Sequence, residues 1–142
     1  MTESPSPPLY VLDSFALLAL IKEERGAPRV REVLLQADAG EARLAMAVVN
    51  LGEVFYWTAR DEGRARAEEV LLTIHHYVIE YFEVDRALAM EGAELKARHR
   101  MSYADCITAA LALRLGATVM TGDPEFEQVE GVVDIEWLQR AT

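Results

Sequence analysis

Four carboxylates in this chain stand where an apolar run ends or a helix begins: Asp13, Glu53, Asp105 and Asp123. Asp13 closes Leu9-Tyr10-Val11-Leu12, and Asp123 follows Thr118-Val119-Met120-Thr121-Gly122. Asp105 opens an alanine- and leucine-rich stretch that reaches Leu115, while Glu53 has Val49, Asn50, Tyr56 and Trp57 as its neighbours at helical spacing. An unpaired carboxylate on so apolar a face is costly. Carboxylates gathered in one place raise one another's pKa unless cations lie between them, and Mg²⁺ or Mn²⁺ suits oxygen ligands of this kind. The sequence carries no Ser-His-Asp order, no Gly-rich phosphate loop and no His/Cys metal spacing. His75 and His76 are adjacent and so do not share a helical face. The remaining chemistry is metal-activated water attacking a phosphodiester.

Each acid also has a local alternative. Asp13 or Ser14 could cap a helix, Ser102-x-x-Asp105 matches a capping box, Gly122-Asp123-Pro124 is ordinary turn chemistry, and Glu53 could pair with an arginine. Their shared context favours a site. Two follow expected strands and two project from early turns of expected helices. A parallel β/α arrangement can collect all of them on one rim of its sheet.

The elements that must hold them read in order. Leu9 to Leu12 is an expected strand, and Phe15, Leu17, Leu18, Leu20 and Ile21 continue at helical spacing. A second helix starts at Gly26-Ala27-Pro28 and ends near Gly40; Arg43 to Ala47 is a second strand. Helices are expected around Glu53 and over 64–74, a strand or extended connection over 78–84, and a helix capped by Asp85. Val132 to Ile135 is expected as the last strand, with Trp137 and Leu138 closing the core. The fold class is α/β, one domain over residues 9–142 with a central parallel sheet flanked by helices, preceded by a flexible tail over residues 1–8.

At 142 residues with 51% hydrophobic content, one folded domain is the expectation. The longest apolar run, Phe15 to Ile21, falls far short of the ~20 residues that span a bilayer. With a Ser/Pro-rich start, a cytoplasmic protein away from membranes is expected. Cys106 is the lone cysteine, expected as a buried small hydrophobe. The formal charge of −10 argues against a broad electrostatic footprint on nucleic acid. Bound cations would neutralise part of it, and a basic partner could meet the rest. Lys96, Arg98, His99 and Arg100 form the densest basic cluster, either a solvated helix end or a seat for a phosphate backbone beside Asp105.

Four motifs, Val11-Leu12-Asp13-Ser14, Asn50-Leu51-Gly52-Glu53-Val54, Ser102-Tyr103-Ala104-Asp105 and Thr121-Gly122-Asp123-Pro124-Glu125-Phe126, occur in the order found in PIN-domain nucleases. In these motifs the chain resembles that family, and within it the VapC-type ribonuclease toxins. The resemblance implies one or two Mg²⁺ or Mn²⁺ ions held by Asp13, Glu53, Asp105 and Asp123. It implies hydroxyl support from Ser14 and Thr121, with Asn50 and Ser102 beside the acids. It further implies RNA cleavage, a homodimer, and a small antitoxin whose Arg-containing basic segment blocks the site. Asn50 stands where many relatives carry Ser or Thr. A PIN-like module that binds RNA or protein without turnover is the alternative.

Overall fold

The computed structural model describes residues 6–139, so residues 1–5 of the expected tail and the last three of the expected domain lie outside the described residues. Pro8 is already tied to the sheet, its carbonyl accepting from the Arg43 amide at 2.8 Å.

Five strands, β1 (Leu9–Leu12), β2 (Arg43–Ala47), β3 (Glu80–Phe82), β4 (Thr118–Thr121) and β5 (Ile135–Trp137), form one parallel sheet in the order β3-β2-β1-β4-β5. Its inner strands β1, β2 and β4 bury apolar side chains on both faces, as a parallel sheet covered on two sides requires. Period-two alternation divides the side chains. Val11, Ala45, Ala47 and Val119 point to one layer, and Leu12, Leu44, Met46 and Met120 to the other.

The first layer is completed by α5 (Arg86–Arg98) and α6 (Tyr103–Leu115), through Leu88, Leu95, Ile107 and Leu111. The second is completed by α1 (Ser14–Ile21), α2 (Ala27–Asp38), α3 (Val48–Glu62) and α4 (Arg64–His75), through Leu17, Val30, Val33, Val54, Val70 and Ile74. At Gly92 α5 lies directly against Ile107 of α6. A Cβ there would lie 2.9 Å from Ile107 Cγ1 and 3.2 Å from Ile107 Cα.

Local sequence sets the helix ends. The Asp85 carboxylate accepts from the Leu88 amide at 2.8 Å to start α5, Pro28 lies in the first turn of α2, and Gly116 ends α6 in the left-handed region at φ 63°, a position that favours glycine. The last strand begins later than the apolar run suggests. The Val132 and Val133 amides turn back to the Val129 carbonyl at 2.9 and 3.0 Å, after a 3-10 turn over Pro124–Val129. The valines fall in a turn and only Val133 enters the core. Leu138 is buried as expected, whereas Trp137 is 36% exposed.

The connection from β3 through α5 and α6 carries the chain from one edge of the sheet to the far side of β1. Connections leaving β1 and β4 therefore diverge, and open α/β sheets bind ligands in the crevice at such a point.

Candidate metal centre

Asp13 follows β1 directly, Asp123 follows β4, Asp105 occupies the first turn of α6, and Glu53 lies in the second turn of α3. Asp13 is 1% exposed and Asp105 5% exposed; Glu53 and Asp123 are half-buried.

Asp13 caps α1 and also reaches across to β4. Its Oδ1 accepts from the Ala16 amide at 3.0 Å, and its Oδ2 accepts a short hydrogen bond from the Thr121 hydroxyl. The Asp123 amide donates to the same Thr121 oxygen at 3.0 Å. Burial pushes the Asp13 carboxyl up from 3.8 to about 7, opposed by the Thr121 and Ala16 hydrogen bonds and reinforced by the charges of Asp123 and Glu53. Asp13 thus senses acids from two other elements.

The capping box at the start of α6 is only half made. Ser102 Oγ accepts from the Asp105 amide at 3.2 Å, but the Ser102 amide, which the acid of a complete box would take, donates instead to Glu125 Oε1 at 2.9 Å. Asp105 is therefore left free to face Asp123. Burial pushes its carboxyl well above the usual range, aided by a hydrogen bond to Glu125 and by the charges of Asp123, Asp13 and Glu125. Asp105, Asp123 and Glu125 each offer an oxygen within 4.8 Å of the other two.

Glu125 lies within the Thr121–Phe126 motif, where its neighbours in sequence assign it no role. A carboxylate two residues past Asp123 was visible; the Ser102 amide that fixes it comes from a loop 23 residues away. Its own amide donates to Asp123 Oδ1 at 2.9 Å.

Glu53 forms no ion pair among the described residues, so the arginine alternative is not what the fold uses. Its Oε1 accepts from Asn50 Nδ2 at 2.9 Å. Ser14 departs from expectation. Its hydroxyl bonds to none of the acids among the described residues, and the Asp13 oxygens accept from Ala16 and Thr121 instead. In the basic cluster, Lys96 Nζ donates to the Met101 carbonyl at 2.8 Å and Arg98 Nε to the Glu94 carbonyl at 3.4 Å, while all three cations, Arg100 included, remain exposed.

An all-oxygen set of converging acids, two of them held protonation-prone by burial and mutual repulsion, fits a small hard divalent cation, which would relieve that repulsion.

The family model described as PIN domain matches residues 10–132. No curated protein sequence matches the chain. Among solved structures, the fold is similar to VapBC2 from Rickettsia felis bound to a promoter DNA fragment, at 17% identity and TM-score 0.72, covering 92% of this chain and 99% of that one. It is similar to VapC20 from Mycobacterium tuberculosis, described as a Sarcin-Ricin loop cleaving toxin, at 15% identity and TM-score 0.70, covering 87% and 95%. DNA-bound VapBC from Salmonella typhimurium matches at 22% identity and TM-score 0.69, covering 91% and 97%.

Proposed function

Because the chain belongs to the PIN domain family, we propose that it is a Mg²⁺- or Mn²⁺-dependent endoribonuclease and the toxin of a toxin–antitoxin pair. The observation that carries this reading is the convergence of Asp105, Asp123 and Glu125 beside the buried Asp13 at the β1/β4 crevice. Likeness to structures described as VapBC, and to one described as a Sarcin-Ricin loop cleaving toxin, supports the choice of substrate and partner.

Asp13, Glu53, Asp105 and Asp123 would hold one or two ions, with Thr121, Asn50 and Ser102 fixing their orientation. A divalent ion there supplies a Lewis acid for the phosphate and lowers the pKa of bound water. The chain's own part is geometric. Thr121 bridges the Asp13 carboxylate and the Asp123 amide, so two ligands are set against each other before any ion arrives. Such preorganisation is what makes charge stabilisation effective. Water adds to phosphorus as the bond to the leaving oxygen breaks. Lys96, Arg98 and Arg100 would be the cations that meet flanking phosphates.

The partner we infer is a small protein with an arginine that pairs bidentately with these carboxylates. We assign the chain to a homodimer through α3 and α4, where Leu72 is 69%, Trp57 43% and Tyr56 39% exposed; such surplus apolar surface marks interfaces.

The test is cleavage of a structured RNA by purified protein. Cleavage is expected with Mg²⁺ or Mn²⁺ and lost in EDTA, and Asp13→Asn, Glu53→Gln and Asp105→Asn should each abolish it while the fold persists. Activity that survives metal removal would overturn the reading.

A further inference from the structure

Behind Glu53 lies a buried polar pair that connects two helices. Asn50 on α3 and Thr108 on α6 are both 0% exposed. The Thr108 hydroxyl lies 2.7 Å from Asn50 Oδ1 and 3.1 Å from the Ala104 carbonyl. On its other side Asn50 donates from Nδ2 to Glu53 Oε1 at 2.9 Å.

The inventory of donors and acceptors fixes the direction of this chain of bonds. An ionised carboxylate only accepts, so Asn50 must turn its NH₂ toward Glu53 and its oxygen toward Thr108. That oxygen then needs a donor. Thr108 has a single hydroxyl proton and two acceptors within reach, and the shorter contact is to Asn50. Valine at 108 would keep the shape but strand the Asn50 oxygen in the core, at the desolvation cost of a buried unpaired acceptor. The carboxamide would then be held only by its bond to Glu53, and the carboxylate would lose a donor fixed from α6.

We propose that Thr108 is a positioning residue: across the α3–α6 contact it locks the Asn50 carboxamide and through it aims the Glu53 carboxylate at the metal-binding rim. The consequence for catalysis rests on the function proposed above; the lock itself does not. Partners behind a metal ligand commonly matter by roughly 10–100-fold in metal affinity or activity.

Asn50 is the only asparagine in the chain, so selective ¹⁵N-asparagine labelling gives one side-chain NH₂ pair. In Thr108→Val this pair is expected to shift and exchange faster with solvent. Mn²⁺ affinity by calorimetry should fall roughly tenfold, and kcat on RNA should fall more than KM changes. Thr108→Ser, which keeps the hydroxyl, should restore all three. If Thr108→Val does not fold, Thr108→Ala is read in the same way. An unchanged Asn50 NH₂ pair with unchanged Mn²⁺ affinity in the valine or alanine variant would overturn the proposal, as would a folded serine variant that behaves like valine. Wild-type protein without metal-dependent cleavage would remove the nuclease reading alone, since the NH₂ resonance and the Mn²⁺ affinity decide the lock independently of RNA.

Discussion

Asp13 caps α1 and, in the function proposed, would serve the chemistry as well. Capping α1 stabilises a helix, but the burial that caps it also pushes its carboxyl to about 7. An acid whose folded pKa exceeds its unfolded value of 3.8 binds more protons in the native state, so stability declines as pH rises between those values. Below about pH 4 the contribution is fully present, and above about pH 7 it is gone. Asp105 is shifted in the same direction and extends the decline. Thermal melts in EDTA should therefore show a lower melting temperature at pH 8 than at pH 5, and Asp13→Asn should flatten the difference. An Asp13→Asn profile as steep as wild type would mean that other groups carry it. Asp105 and Asp123, which the fold brings within 4.8 Å of each other, were legible from their positions at a helix start and after an apolar run. Glu125 and Thr108 were not, because what gives each its role is a partner far along the chain, Ser102 at 23 residues and Asn50 at 58.

At the scale of elements, apolar runs and helical spacing were enough to place β1, β2, α2 and the caps at Asp85 and Ser102, since these depend on neighbours in sequence. The last strand was misplaced because Val132 and Val133 carry the apolar signature of a strand while their amides close a turn on Val129. Apolar content reports burial, not hydrogen bonding. The seating of α5 on α6 depends on a feature periodicity hides, the missing side chain at Gly92. A methyl group there meets Ile107 backbone atoms at 3.2 and 3.3 Å, and backbone cannot swing aside as a side chain can. Gly92→Ala should destabilise the protein by about 1–3 kcal/mol, the usual cost of overpacking a close contact, despite alanine's better helix propensity. Urea melts check this; a stability equal to or above wild type would show that α5 can slide. Because α6 carries Asp105, the same variant should also weaken Mn²⁺ binding.

At the scale of the whole molecule, the charge of −10 and the apolar surface of α3 and α4 are the features a lone globular domain does not need. No helix among the described residues is long and apolar enough to cross a membrane. Leu72, Trp57 and Tyr56 are expected to be covered by a second copy, so light scattering at micromolar concentration should give twice the 15.9 kDa chain mass. A mass of 15.9 kDa would leave that surface for a different partner. Divalent cations should act on the molecule as a whole by binding only the native state. Millimolar Mn²⁺ is expected to raise the melting temperature of wild type and to do so much less for Asp105→Asn; equal shifts would place the ion elsewhere.

The central claim is that acids from separate elements make one divalent-cation site at the β1/β4 crevice, and a crystal grown with Mn²⁺ tests it most directly. The anomalous difference map should show its strongest peak between Asp105 and Asp123, with carboxylate oxygens at roughly 2.1 Å and Asp13 and Glu53 facing it directly or through water. A map whose strongest peak lies away from this rim, with Asp105 and Glu125 still sharing a hydrogen bond and no density between the acids, would contradict it.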